Sequence, residues 1–91
     1  MHIITTYTLN PGLTKDQTRE LMEVFATVGN APGTTAHYVN ADGGGGVVVG
    51  QNDDINEAYK NLLNYSQWMT FDMQVVLPVD EAVPHIAEYL G

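Results

Sequence analysis

Met69-Thr-Phe-Asp-Met-Gln-Val-Val-Leu-Pro-Val79 is the stretch on which the fold turns. Met69, Phe71, Met73, Val75 and Leu77 alternate with Thr70, Asp72 and Gln74. A repeat of two sends successive side chains to opposite faces, which predicts a strand with one face on a core. Immediately upstream the period changes. Ile55, Ala58, Tyr59, Leu62 and Leu63 recur at helical spacing behind Asp54 and Glu57, a box-like start, and predict a helix over about 54–66.

Further toward the N-terminus, Thr34 to Asn40 and Gly46 to Gln51 read as two β-branched strands. Ala41, Asp42 and four glycines join them, a hairpin connection free to take positive φ. Before these, Thr14 and Gln17 form a capping-box pattern. Leu21, Val24, Phe25 and Val28 then follow the helical repeat until Gly29-Asn30, a helix over about 14–29. His2 to Leu9 is a first strand that ends at Asn10-Pro11-Gly12. Downstream, a short helix near 80–90 closes the chain. Asp80 is a candidate cap for it and Pro84 a candidate first residue, with Ile86, Tyr89 and Leu90 expected on its buried side.

The order β-α-β-β-α-β-α defines an α+β class. Two right-handed β-α-β halves make a ferredoxin-like, four-stranded antiparallel sheet with both main helices on one face. One domain over residues 1–91 accommodates all of it. The other face, with Val48 or Val49, Val76 and several threonines, is left uncovered. A bare apolar sheet face marks an interface, so two copies are expected to stack there. A domain this small is marginally stable alone, which also favours a homodimer.

The bulk composition excludes several functions. Lys15, Arg19 and Lys60 are the only Lys or Arg residues against eleven carboxylates, a net charge of −8. Nucleic acids and anionic membranes are both held by clusters of basic residues, and no such cluster forms here. Without cysteine there is no disulfide, thiolate metal site or cysteine nucleophile, which suits a reducing cytoplasm. No apolar run is long enough to span a bilayer, and the N-terminus lacks the pattern of a signal peptide.

The run GGVVVGQNDDINEAY (45–59), then Trp68, then FDMQVVLPVDEAV (71–83) resembles a family of short bacterial proteins of unknown function within the dimeric α/β-barrel superfamily. The shared pattern is a glycine-led apolar strand, an acidic helix start at Asp53-Asp54, a tryptophan ending that helix and a final strand closing on Pro78-Val79. It covers about residues 45–83. The resemblance implies a ferredoxin-like dimer. It also implies a superfamily that includes cofactor-free monooxygenases, muconolactone-isomerase-like enzymes and haem-degrading enzymes. Gln51 stands where the short family often carries an acid, and no catalytic motif of those enzymes is matched.

Each feature that suggests chemistry has a plainer reading. Gly43–Gly46 lack the Lys and Ser/Thr of a phosphate loop and lead into a strand, so they read as a hairpin. Asp53-Asp54 sits where carboxylates complement a helix dipole, and reads as a cap before a metal pair. His2, His37 and His85 have no partner at a metal-ligand spacing, so no metal site is expected. There is no nucleophile elbow for a serine hydrolase.

His37 stands out because it lies mid-strand and exchanges a proton near neutrality. A pair between His37 of one copy and Asp72 of the other, with His37 as base, is one arrangement the dimer allows. A solvated Asp72 and a hydrogen-bonded interface histidine is the other. Tyr7, Tyr38, Trp68 and Phe71 are candidates for an apolar ligand pocket, although aromatic residues at such spacings also serve as core. The leading expectation is a cytoplasmic homodimer that needs no cofactor and holds a small, mostly apolar ligand, with oxygenase- or isomerase-like activity by analogy. A non-catalytic scaffold dimer is the alternative.

Overall fold

The computed structural model describes residues 1–91. Its elements are β1 (His2–Leu9), α1 (Lys15–Val28), β2 (Thr34–Val39), β3 (Gly45–Gln51), α2 (Ile55–Leu63), β4 (Met69–Val76) and α3 (Val79–Leu90). The four strands form one antiparallel sheet in the order β2-β3-β1-β4, which is the ferredoxin-like arrangement.

Local chemistry sets the helix starts, that of α1 as expected and that of α2 by the Asp54 cap without the Glu57 half of the expected box. Thr14 Oγ1 accepts from the Gln17 amide at 3.1 Å while Gln17 Oε1 accepts from the Thr14 amide at 2.9 Å, so the capping box forms. Asp54 caps α2 by accepting from the Asn56 amide at 3.0 Å. Asp53 lies 3.3 Å from the terminal amino group of Met1. The glycine run joins β2 to β3 as a hairpin. Gly43 takes φ 79° there, and Asp42 Oδ1 accepts from the Gly44 amide at 2.8 Å.

The register divides the sheet into two faces. Ile3, Thr5, Tyr7 and Leu9 pair with Val75, Met73, Phe71 and Met69 and turn toward α1 and α2. Gly46, Val48 and His37 share that face through the β1–β3 and β3–β2 pairings. Ile4, Val47, Val49, Val76, Ala36, Tyr38 and Asp72 occupy the open face. The valine of the 48–49 pair left on the open side is therefore Val49.

Four expectations need correction at the C-terminal end. β4 stops at Val76, and the chain turns at Leu77-Pro78 into α3. Pro78, not Asp80, is the N-cap: its carbonyl accepts from the amides of Glu81 and Ala82, and no side chain caps the helix. Pro84 lies inside α3 rather than at its first position. The expected buried side is also bare, with Ile86 53%, Tyr89 88% and Leu90 76% exposed. The helix leaves the sheet after β4 and finds no surface of its own chain to cover. Only Ala58 of α2 is fully buried, with Leu62 half-buried, so the expected α2 stripe is narrower than its spacing suggested.

Candidate functional site

The space between the sheet and α1/α2 is a cleft of about 410 Å³. Ile3, Thr5, Tyr7, Val48, Phe71 and Met73 form its floor. Leu21, Met22, Phe25, Ala58, Leu62 and Tyr65 close over it, and Asn30 and His37 stand at one side. No Asp, Glu, Lys or Arg lines it. Uncharged polar side chains, Thr18, Thr34, Asn40, Gln51 and Asn61 among them, also line it, but its surface is mostly apolar, as is usual for a small-molecule site.

Its polar end is a chain of three side chains. Tyr7 Oη is 2.8 Å from His37 Nε2, and His37 Nδ1 is 2.9 Å from Asn30 Oδ1. An amide oxygen can only accept, so Nδ1 carries the ring proton and donates it to Asn30. Nε2 is then a bare lone pair, and the Tyr7 hydroxyl donates to it. The imidazole is held edge-to-face by Tyr7 and Phe25, with ring centroids 5.6 and 5.9 Å away. Burial among these rings pushes the His37 pKa down and the Tyr7 pKa up, because each would have to charge in an apolar place. Both are therefore neutral near pH 7.

Other residues fix this arrangement. Tyr65 donates from its hydroxyl to the Gly29 carbonyl at 2.7 Å, satisfying an acceptor at the C-terminal end of α1 next to Asn30. Burial raises the Tyr65 pKa as well. On β3, Gly46 leaves the room that the Tyr7 ring occupies.

The sequence-predicted site residues fall into two groups. Tyr7, Phe71 and His37 line the cleft, with Tyr7 and Phe71 cross-strand partners 6.5 Å apart. Tyr38, Trp68 and Asp72 do not. Tyr38 is 66% exposed on the open face, because strand side chains alternate and its neighbour His37 takes the other side. Trp68 is packed into a buried cluster with Tyr65 and Met69, its indole N–H without a partner. The expected His37–Asp72 pair is one between copies, and a single chain does not bring the two together. The two residues lie on opposite faces and opposite edges of the sheet, and both His37 ring nitrogens are engaged within the chain. Thr5, Asn30 and Gly46 are not among the residues expected at the cleft. The register between distant strands reveals Thr5 and Gly46, and the folding of the segment after α1 against β2 reveals Asn30. No cluster of three or more His, Asp or Glu side chains is placed to hold a metal ion.

Fold and cleft together define a ferredoxin-like α+β domain with an uncharged, aromatic-lined hollow beneath its helices. Residues 1–90 match the family described as a domain of unknown function, DUF3303, and the chain belongs to that family. No curated protein matches it. Among solved structures, it is similar to Rv0793 from Mycobacterium tuberculosis at 12% identity, over 85% of this chain and 94% of that one, with a TM-score of 0.43.

Proposed function

We propose that this chain is a homodimer that holds a small, mostly apolar organic molecule between its sheet and helices α1 and α2, where His37 acts as a base. The observation that carries the reading is the Tyr7–His37–Asn30 chain at one side of an uncharged, mostly apolar cleft. Asn30 takes the orienting role that the sequence reading gave to Asp72. A proton leaving a bound molecule passes to the Tyr7 oxygen as the Tyr7 proton moves to His37 Nε2. Its return to another atom of the same molecule completes an isomerisation that needs no co-reactant. Oxygenation would need molecular oxygen as a co-substrate.

Self-association is supported by what a single copy leaves bare. Its accessible surface is 6499 Å², against about 5,200 Å² expected for a folded monomer of this mass. Its radius of gyration is 16.0 Å, against about 12 Å for a compact chain of this length. The excess, about 1,300 Å², exceeds the roughly 800 Å² that each partner gives to a standard interface. We assign the open sheet face and the apolar side of α3 to contact with a second copy. The bare helix equally favours the alternative reading, a non-catalytic scaffold dimer.

Thermal-shift screening of the full chain against uncharged aromatic compounds distinguishes the two. The ligand-binding reading expects concentration-dependent stabilisation by some of them, lost in His37→Ala. No stabilisation by any compound, with dimerisation intact, would leave the scaffold reading.

A further inference from the structure

Thr5 sits mid-strand in β1 on the cleft side, 6% exposed, and pairs in register with Met73 and Val48. Its hydroxyl makes no hydrogen bond within the chain, while five other threonine side chains each find a partner: Thr14, Thr18, Thr27, Thr34 and Thr35. Valine has nearly the same shape, so packing alone does not call for an oxygen at this position. Trp68 Nε1 is the one fully buried side-chain polar atom without a partner, so the Thr5 oxygen, although its residue is 6% exposed, keeps access to the cleft and is free to meet whatever fills it.

The polar end adds a second constraint. Tyr7 has spent its one proton on His37 Nε2, and His37 has spent its own on Asn30 Oδ1. What Tyr7 offers the cleft is therefore oxygen lone pairs. Thr5 and Tyr7 are two residues apart on one face of one strand, about 7 Å along it, and the Thr5 hydroxyl is free to donate or accept. The cleft wall carries no charged side chain, and the chain as a whole is at −8. An anion would enter without a counter-charge.

Resting on the ligand-binding reading above, we infer that the cleft selects an uncharged, flat, mostly apolar molecule with an O–H donor, of the phenol or enol class, and that Thr5 is a binding residue for it. The hydroxyl of the ligand donates to Tyr7 Oη. Thr5 Oγ1 meets a second polar atom or the π-face of the ligand.

Titration calorimetry on the full chain with β-naphthol, β-methoxynaphthalene and β-naphthoate tests this, alongside Thr5→Val. β-Naphthol is expected to bind, and the methyl ether to bind about fivefold more weakly for want of the donated hydrogen bond. The carboxylate is expected to bind about tenfold or more weakly, as an unpaired charge in an apolar site. Thr5→Val is expected to fold and to melt close to the parent without ligand, yet to bind β-naphthol about three- to fivefold more weakly. Equal or tighter binding of the carboxylate or the ether overturns the inference while leaving the cleft a binding site. Unchanged β-naphthol affinity in Thr5→Val overturns the role of Thr5. Binding by none of the three compounds overturns the inference together with the reading on which it rests.

Discussion

Gly46 and Tyr7 face each other across the β1–β3 pair so closely that the tyrosine ring fills the place of the missing side chain. A Cβ on Gly46 would stand 2.5 Å from Tyr7 Oη, 2.6 Å from its Cζ and 2.5 Å from the Tyr38 carbonyl oxygen. One of those neighbours is backbone and cannot step aside. Gly46→Ala is therefore expected to destabilise the fold by about 1–3 kcal/mol in urea unfolding, the cost of an overpacked position. It is also expected to swing Tyr7 off His37. An alanine variant as stable as the parent would mean that the ring does not rest there.

Removing only the hydroxyl isolates the other end of the same contact. Tyr7→Phe keeps the ring over Gly46 and against Phe71, but it leaves His37 Nε2 without its donor. The expected loss is about 1 kcal/mol, that of one partly buried hydrogen bond. The His37 titration, followed by NMR of the ring protons, is expected to move upward because the neutral ring has lost a stabilising bond. A downward move would contradict the tautomer assigned from Asn30.

The pH dependence of stability has a definite sign. Burial holds the folded His37 pKa below its ordinary 6.5, so the unfolded chain takes up the proton first as the solution is acidified. The contribution of His37 is present in full above pH 6.5 and is lost as pH falls from there through the lower folded value. Tyr7 acts at the other end. Its pKa is raised above 10.0, so stability falls as pH climbs past that value. Urea midpoints of the parent and His37→Gln between pH 5 and 7 check the first statement; the parent is expected to show the steeper acid-side decline.

The bare side of α3 predicts the oligomeric state. Val83 and Ile86 are 51% and 53% exposed in a single copy, so aspartate at both positions costs an isolated chain little. In a dimer that covers them, the same changes bury charge without partners and split it. Sedimentation is expected to show a dimer for the parent and a monomer for Val83→Asp/Ile86→Asp. A parent that sediments as a monomer at micromolar concentration would contradict the assignment.

Local signals made the architecture legible. Alternation from Met69, the Thr14–Gln17 box and the Asp54 cap each act over a few residues; the box and the cap formed as read, and the strand formed but ended at Val76. What was not legible depends on which strands meet and in what register. Tyr7, Thr5, His37 and Gly46 come from three strands, and nothing near any one of them in sequence points to the others. Parity explains the misplacement of Tyr38: one step along a strand reverses the face, and the pattern around 34–40 alternates too weakly to fix it. The C-terminal helix misled for a different reason. Its apolar spacing at Val79, Val83, Ile86 and Leu90 is genuine, but spacing says which side is apolar and not which molecule covers it.

The cleft beneath α1 and α2 as a small-molecule site is tested most directly by amide and side-chain shift mapping of the full chain during titration with β-naphthol. Saturable changes are expected at Thr5, Tyr7, Phe25, His37 and Phe71, with Tyr38 and Asp72 on the opposite face unmoved. Changes confined to the open face or to α3, or none up to the solubility of the compound, would contradict it.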